Sequence, residues 1–168
     1  MIFATVGSHP SFRFERLLRA LESIADEELV VQYGPGEPPA NATRASRWLP
    51  FAEVVEQMEL ASHVVSHAGV GTILCAIRAG HAPVVLPRLR RFGETVDDHQ
   101  LELGRALART GRVVLIEEAE ELTAAVERAP SRQAGSALGG ERLIAAVRHE
   151  LRAGAGTPRR SARRSARH

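Results

Sequence analysis

The sequence predicts an α/β fold, a single Rossmann-like domain with a parallel sheet of about six strands flanked by helices. Short apolar runs of strand length alternate with stretches of helical period, which is typical of βα units. A length of 168 residues suffices for one buried core and falls short of two ordinary domains. The composition, 44% hydrophobic and 25% charged, is that of a globular protein.

The predicted strands and helices alternate along the chain. Six runs have the length and apolar character of strands, at residues 2–6, 29–33, 47–49, 63–66, 83–86 and 112–116. Apolar side chains spaced three and four apart predict helices near residues 14–21, 54–58, 73–79, 101–107 and 122–126, and a last helix at 143–151. Right-handed crossovers between such strands place the ligand cleft at their carboxyl ends.

Glycine and proline mark the segments that fit neither period. Residues 34–39 and 131–140 are predicted to be loops for this reason. From Gly154 onward the chain consists mainly of Gly, Ala, Ser, Pro and Arg and has nothing to bury. We therefore assign residues 1–153 to the folded domain and residues 154–168 to a disordered arginine-rich tail.

Charge and hydropathy exclude several classes of protein. The net charge of +2 includes five arginines within residues 157–168, so the rest of the chain is mildly acidic and predicts no nucleic-acid-binding surface. No apolar run approaches the roughly 18 to 20 residues that a membrane span needs. The apolar start, residues 1–7, lacks a basic leader and predicts a buried strand in place of a signal peptide. A single cysteine, Cys75, excludes an internal disulfide and fits a reducing compartment.

The most informative segment is Val-Val-Ser-His-Ala-Gly-Val-Gly-Thr at residues 64–72, a strand that runs into a predicted helix. Free backbone N–H groups and the helix dipole at such a junction favour a phosphate. Gly69 and Gly71 let the backbone approach an anion, Thr72 offers a hydroxyl, and His67 at the end of the strand is placed to donate a hydrogen bond to a phosphate oxygen. Taken alone, the segment fits a tight strand-to-helix turn equally well.

Further polar groups follow the next strands in a fixed order. Gly-His-Ala-Pro at 80–83 is followed by Pro-Arg at 87–88, Gly-Glu at 93–94 and Asp-His-Gln at 98–100. In this order they resemble the C-terminal, donor-binding domain of the family-28 glycosyltransferases of the GT-B fold. The likeness covers roughly residues 1–116. It is nearest to the small stand-alone subunits of two-part UDP-sugar glycosyltransferases, in dolichol-linked glycan assembly and bacterial exopolysaccharide synthesis, which also begin with a strand running into Thr-Val-Gly.

The resemblance, with the loop positions, implies a set of donor-binding residues. In such domains the glycine loop holds the donor diphosphate, the Asp-x-Gln element contacts the sugar, and an aromatic ring lies on the uracil. The residues in these positions are Gly7, Ser8, Trp48, Leu49, His67, Ala68, Gly69, Gly71, Thr72, Arg88, Glu94, Asp98, His99 and Gln100. For Trp48, a position in the core or against a partner is the alternative.

Two histidines are candidate catalytic residues, His67 and His9. His67 adjoins the expected diphosphate, and His9 follows the first strand, where an imidazole titrating near neutral pH suits a general base. The alternative for His9 is an ordinary surface histidine. The histidines and Cys75 show no metal-binding spacing, so we expect no metal and no cofactor besides the UDP-sugar co-substrate.

One departure from the family pattern concerns the ribose. Many relatives have a glutamate in the helix after the glycine loop that binds the ribose hydroxyls, and Cys75 stands there in this chain. Glu94 is a candidate to replace it, the alternative being a surface salt bridge.

The function that the resemblance implies is that of a donor-binding, catalytic subunit of a two-component hexosyltransferase. It would transfer a hexose from a UDP-sugar, by inverting attack, to a polyprenyl-diphosphate-linked acceptor in polysaccharide or glycan assembly. The partner would be a membrane-anchored, acceptor-binding subunit, which would keep this chain in the cytoplasm at the inner face of the membrane. The alternative is a non-catalytic accessory subunit that keeps the fold and stabilises a partner glycosyltransferase.

Overall fold

The computed structural model describes residues 1–132, which form one parallel sheet with helices on both faces. The six strands are β1 (Ile2–Thr5), β2 (Leu29–Gln32), β3 (Arg44–Ser46), β4 (His63–His67), β5 (Val84–Leu86) and β6 (Val114–Leu115). The helices are α1 (Glu15–Leu21), α2 (Phe51–Leu60), α3 (Val70–Arg78), α4 (His99–Arg109) and α5 (Leu122–Arg128). The predicted α/β class, Rossmann-like arrangement and six strands are confirmed.

The strand order is β3-β2-β1-β4-β5-β6, and every pair of neighbours is parallel. From β1 the chain moves outward to β2 and β3, and it then returns to place β4 on the other side of β1. This reversal is the topological switch point of a doubly wound sheet, and ligands bind in the crevice outside the carboxyl ends of the strands there.

Helices cover both faces because the central strands are apolar on both sides, as parallel sheets require. On one face α1 and α5 pack on the sheet through a large cluster that includes Phe14, Leu17 and Leu122. On the other face α2, α3 and α4 pack through two smaller clusters, one centred on Phe3 and Met58. The central strands are thus held from both sides, which gives the loops at their carboxyl ends a rigid base.

The strand predicted at residues 47–49 is wrong, because β3 lies at Arg44–Ser46. This segment pairs with Val30–Gln32 at the edge of the sheet, and Arg44 and Ala45 are exposed. An edge strand that faces solvent lacks the apolar signature used to find it, and the apolar pair Trp48 and Leu49 belongs to the loop after β3. The remaining strands and helices of residues 1–132 lie where they were predicted, with ends that differ by a few residues.

The helix predicted at residues 143–151, most of the loop predicted at 131–140, the domain boundary after residue 153 and the arginine-rich tail lie outside the described residues. Within residues 1–132, no helix combines the length and the apolar character that crossing a membrane would require.

Candidate functional site

A cleft of about 470 Å³ lies at the carboxyl edge of the sheet, at the switch point between β1 and β4. Three segments form its walls: the loop after β1, the end of β4, and the stretch from the end of β5 to the start of α4. The lining residues are Ser8, His9, Pro10, Phe12, His67, Arg88, Glu94, Thr95, Val96 and Gln100. The fold therefore brings six of the predicted site residues together around one space: Ser8, His9, His67, Arg88, Glu94 and Gln100.

The loop after β1 begins at Gly7, whose φ of +82° is in the left-handed region that glycine adopts without strain. Its N–H donates to Thr5 Oγ1 at 3.0 Å, and its carbonyl accepts from Gln32 Nε2 at 3.2 Å. The turn is therefore fixed from both sides before the chain reaches Ser8 and His9 in the cleft.

His9 is exposed on this loop, and its ring lies 4.7 Å from that of Phe12. Its Nδ1 accepts the N–H of Ser11 at 3.2 Å. A neutral imidazole with an accepting Nδ1 carries its proton on Nε2, so in this arrangement the free ring nitrogen of His9 is a donor. Action as a general base would first require the bond to Ser11 to break.

His67 ends β4, and its imidazole packs closely against two glycines. A Cβ added at Gly7 would lie 2.7 Å from Nε2, and one at Gly69 would collide with the same ring. Nδ1 is fully enclosed and has no well-formed hydrogen bond among the described residues, although the Thr5 backbone lies nearby. The two glycines thus give the ring a single position at the bottom of the cleft.

The surroundings of His67 keep it neutral. Burial, followed by the nearby positive charge of Arg88, lowers the pKa of His67 from 6.5 to about 4, against an opposing effect of the Thr5 backbone. At neutral pH the ring therefore carries one N–H and no charge. Because Nδ1 is enclosed, donation to an anion in the cleft requires the tautomer with the proton on Nε2. The ring does not supply a positive charge.

The N-terminus of α3 lies two residues beyond His67, and Gly69 is its N-cap. In the described part of the chain no side chain caps this helix, so its first-turn amides keep their capacity to bind an anion. Gly71 is exposed, and a Cβ added there would meet no atom of the described residues within 4 Å, whereas Ala68 is buried in the core and Thr72 is half-buried. These residues adjoin the cleft without lining it.

Three carboxyl or amide side chains hold consecutive backbone amides after β5. Gln100 Oε1 accepts the N–H of Arg88 at 3.2 Å, Glu94 Oε2 accepts that of Leu89 at 3.0 Å, and Asp98 Oδ1 accepts that of Arg90 at 2.9 Å. We refer to residues 88–90 as the 88–90 segment. Because the backbone N–H of Arg88 occupies Oε1, Gln100 has its NH₂ group left to donate.

The neighbouring His99 is 75% exposed at the start of α4, where its ring lies near the carboxylates of Asp97 and Glu102. His99 does not line the cleft, and neither of these carboxylates belongs to a lining residue. The structure thus separates His99 from Gln100, although the two are adjacent in the sequence.

Arg88 is buried beneath the cleft and binds backbone. Its Nη1 donates to the carbonyls of Phe12, Arg13 and Glu94 at 3.0 to 3.3 Å, and its Nη2 donates to that of Val6 at 2.8 Å. Burial lowers the pKa of Arg88 to about 10, opposed by Glu94, so the guanidinium stays charged at neutral pH. It ties the loop after β1 to the loop after β5.

Glu94 forms a buried ion pair with Arg16 of α1, a residue that the sequence analysis did not single out. Arg16 Nε and Nη2 donate to the two carboxylate oxygens at 3.2 and 3.0 Å. An arginine on an amphipathic helix is usually exposed, and the two partners are 78 residues apart, so no local pattern indicates the pair. The expected ribose contact of Glu94 would have to compete with this pair.

Trp48 and Leu49 follow β3 and do not line the cleft. Trp48 is 41% exposed, and its ring lies 3.5 Å from a Cβ built at Gly34. The indole therefore covers the loop after β2, and part of the ring stays open to solvent.

Cys75, on α3, is half-buried, and burial raises the pKa of its thiol. Among residues 1–132 no group of three His, Cys, Asp or Glu side chains is placed to hold a metal ion.

Comparison with known proteins gives a family and a fold. Residues 1–134 match the sequence model of the glycosyltransferase family 28 C-terminal domain. The fold is similar to that in the crystal structure of the glycotransferase of kitacinnamycin, with 25% identity and a TM-score of 0.55 over 90% of this chain and 39% of that chain. It is also similar to glycosyltransferase SnogD from Streptomyces nogalater, with 22% identity and a TM-score of 0.48 over 89% of this chain and 37% of that chain.

The chain thus spans about two fifths of the length of either solved glycosyltransferase. No curated protein sequence matches it.

Proposed function

Residues 1–134 place the chain in glycosyltransferase family 28, as a counterpart of that family's C-terminal domain. On this premise we propose that the chain is the donor-binding, catalytic subunit of a two-component glycosyltransferase. The donor is a UDP-sugar, from which a hexose passes to a polyprenyl-diphosphate-linked acceptor. The observation that carries this proposal is the 470 Å³ cleft at the switch point, with His67 at its bottom and an uncapped helix N-terminus beside it.

The chemistry of the transfer fits the groups around the cleft. The acceptor oxygen forms a bond to the anomeric carbon while the bond from that carbon to the diphosphate breaks, so negative charge develops on the leaving UDP. Fixed N–H donors stabilise such charge, and the first-turn amides of α3 and the neutral His67 are of that kind. Buried Arg88 adds a positive charge near His67.

The sugar would lie toward the loop after β5. Gln100 lines the cleft, and its side-chain NH₂ is left to donate to a sugar hydroxyl. Asp98 bonds the backbone through Oδ1, which leaves Oδ2 as an acceptor. We place the uracil against Trp48, the one tryptophan of the chain and a partly exposed ring. No metal has a part in this mechanism.

The acceptor base and acceptor site belong, in this proposal, to a membrane-anchored partner subunit that brings the chain to the cytoplasmic face of the membrane. Exposed apolar side chains near the cleft support a covering partner: Val96 is 71% exposed on the lining and Phe92 is 50% exposed on the same loop. His9 lines the cleft from the loop after β1 and is the candidate on this chain for a contact with the incoming hydroxyl.

Isothermal titration with UDP and a panel of UDP-hexoses tests donor binding, followed by an assay for UDP release after co-expression with a candidate membrane subunit. We expect His67→Ala and Gln100→Ala to lower turnover at least tenfold. His63→Ala is the matched control, since His63 lies at the amino end of β4, away from the cleft at the carboxyl end of the same strand. Turnover that survives both site substitutions unchanged would refute the catalytic role.

A non-catalytic accessory subunit remains the second candidate, and two observations favour it. Cys75 stands where many relatives have the acid that binds ribose, and the carboxylate of Glu94 is engaged by Arg16. An accessory subunit would stabilise its partner in the co-expression experiment without any loss of turnover in the His67 and Gln100 variants.

A further inference from the structure

We propose that the Arg16–Glu94 ion pair is a positioning device that sets the sugar-side wall of the cleft and with it the affinity for the sugar part of the donor. The identity of the ligand rests on the function proposed above. Arg16 lies outside the cleft lining, so it acts through Glu94 and does not touch the donor.

One guanidinium holds three separate parts of the structure. Arg16 contacts both carboxylate oxygens of Glu94, its Nη2 donates to the carbonyl of Pro87 at 2.6 Å, and its Nη1 donates to the carbonyl of Glu117 at 3.2 Å. Pro87 follows β5 directly, and Glu117 follows β6. Arg16 therefore fixes the start of the loop after β5 and its middle against α1.

Glu94 passes this constraint to the residues expected to contact the sugar. Its Oε2 accepts the N–H of Leu89, the middle amide of the 88–90 segment, whose outer amides are held by Gln100 and Asp98. A displacement of Glu94 must therefore move the backbone on which both of these side chains are anchored. A backbone shift of about 1 Å is enough to weaken an oriented hydrogen bond severely.

The pair also separates two spaces. Glu94 lines the 470 Å³ cleft and a neighbouring groove of about 970 Å³, and Arg16 lines the groove alone. Phe92 covers the guanidinium from the groove side, with its ring centroid 4.9 Å from Cζ. Without the pair, the wall between cleft and groove loses its buried support, and the cleft opens toward α1.

The chain offers a matched control pair. Arg105 bonds Glu117 through Nε and Nη2 with the same two-point geometry, at 2.7 and 2.6 Å, but this pair is exposed and contacts neither the cleft nor the groove. Arg105 binds the carboxylate of Glu117, whereas Arg16 binds its backbone carbonyl, so a substitution at Arg105 removes an arginine–glutamate pair without removing any hydrogen bond of Arg16 or of the 88–90 segment.

The experiment compares Arg16→Gln, Arg16→Lys, Glu94→Gln and Arg105→Gln in the full chain. Titration gives Kd for UDP and for the UDP-sugar that the wild-type protein binds best, and hydrogen exchange measures protection of the amides of residues 88–90. For Arg16→Gln we expect Kd for the UDP-sugar to rise about tenfold, with Kd for UDP changed less than twofold and with faster exchange at 88–90. Arg16→Lys keeps the positive charge but loses the two-point contact of the guanidinium. Its Kd for the UDP-sugar should lie between those of the wild type and Arg16→Gln.

Glu94→Gln breaks the same ion pair and keeps the shape of the side chain. It therefore tests the proposal even if the Arg16 variants fail to fold. Like Arg16→Gln, it should raise the Kd for the UDP-sugar and leave the Kd for UDP nearly unchanged. Equal weakening of UDP and UDP-sugar, unchanged exchange at 88–90, or the same effect from Arg105→Gln would overturn the proposal. If the wild-type protein binds neither UDP nor any UDP-sugar, the proposed function fails and the sugar-binding part of this inference fails with it. The exchange data would still show whether the pair fixes the 88–90 segment.

Discussion

The imidazole of His67 packs so closely on Gly69 that a Cβ at position 69 would collide with its Nε2. Gly7 also packs against the ring and has no room for a side chain. The close approach explains why the glycine loop must begin with glycine: the backbone before α3 passes directly over the ring that ends β4. The second glycine of the loop, Gly71, meets no such neighbour among the described residues.

Alanine substitutions at Gly69 and Gly71 should therefore act differently. Gly69→Ala displaces the His67 ring, and we expect both a lower free energy of unfolding, by about 1 to 3 kcal/mol as for other overpacked sites, and weaker UDP binding. Gly71→Ala adds a methyl to open space on a helix and should leave the free energy of unfolding unchanged or higher. If the diphosphate lies there, the methyl should still weaken UDP binding.

Urea unfolding and UDP titration of the two variants check this prediction. Full UDP affinity in the stable Gly71→Ala protein would contradict a diphosphate at the α3 N-terminus.

Gln100 can be tested by separating its two ends. Gln100→Glu keeps an oxygen to accept the Arg88 N–H but loses the NH₂ donors, whereas Gln100→Ala loses both. We expect Gln100→Ala to lower the free energy of unfolding by about 1 kcal/mol and Gln100→Glu to lower it less. Both should weaken binding of the UDP-sugar, measured by titration. A Gln100→Glu protein with wild-type affinity for the UDP-sugar would remove the sugar contact from the proposal.

Trp48 gives a direct optical test, because it is the one tryptophan of the chain. If the base lies on the indole, UDP should change the tryptophan fluorescence, and Trp48→Ala should lose about 1 to 3 kcal/mol of binding free energy, roughly five- to 150-fold in Kd. Trp48→Phe, which keeps a ring, should lose less. Uridine that leaves the fluorescence unchanged would place the base elsewhere.

The lowered pKa of His67 predicts a stability loss in mild acid. In the unfolded chain the histidine takes up a proton near pH 6.5, but in the folded protein it does so only near pH 4. Its contribution is complete above about pH 6.5 and is lost as the pH falls toward 4, by about 3 kcal/mol in all. His81, whose pKa is also lowered, chiefly by burial, acts in the same direction.

Urea unfolding at pH 7.5 and 4.5, for the wild type and for His67→Gln, isolates the contribution of His67. The wild type should lose about 2 to 3 kcal/mol more than the variant between the two pH values. Equal losses would mean that His67 is not enclosed as described.

The sequence predicted the parts of the fold whose signal is local. β1, β2, β4 and β5 are buried on both sides and appear as apolar runs, and the predicted family and fold are confirmed. The edge strand β3 was misplaced because its exposed residues carry no apolar pattern. The cleft could be placed at the strand ends from topology, and the candidate residues there came from their positions after the strands and from the family resemblance.

Long-range partners could not be predicted. Arg16 meets Glu94 across 78 residues, and Arg88 reaches the carbonyl of Val6 across 82. Arg16 looks in the sequence like an ordinary charged residue of a helix, and Arg88 was expected to bind the donor and not the backbone of another loop. Burial of their guanidinium groups depends on how α1 sits against the loop after β5, which is a property of the assembled sheet.

The three contacts of the Arg16 guanidinium bear on how the donor preference of the proposed glycosyltransferase changes during evolution. A substitution on α1 can shift the 88–90 segment, to which the side chains of Asp98 and Gln100 are bonded, while every side chain expected to contact the hexose keeps its chemical identity. In the proposed function, two relatives with identical side chains around the sugar can then select different hexoses, and comparisons confined to those side chains would not detect the cause.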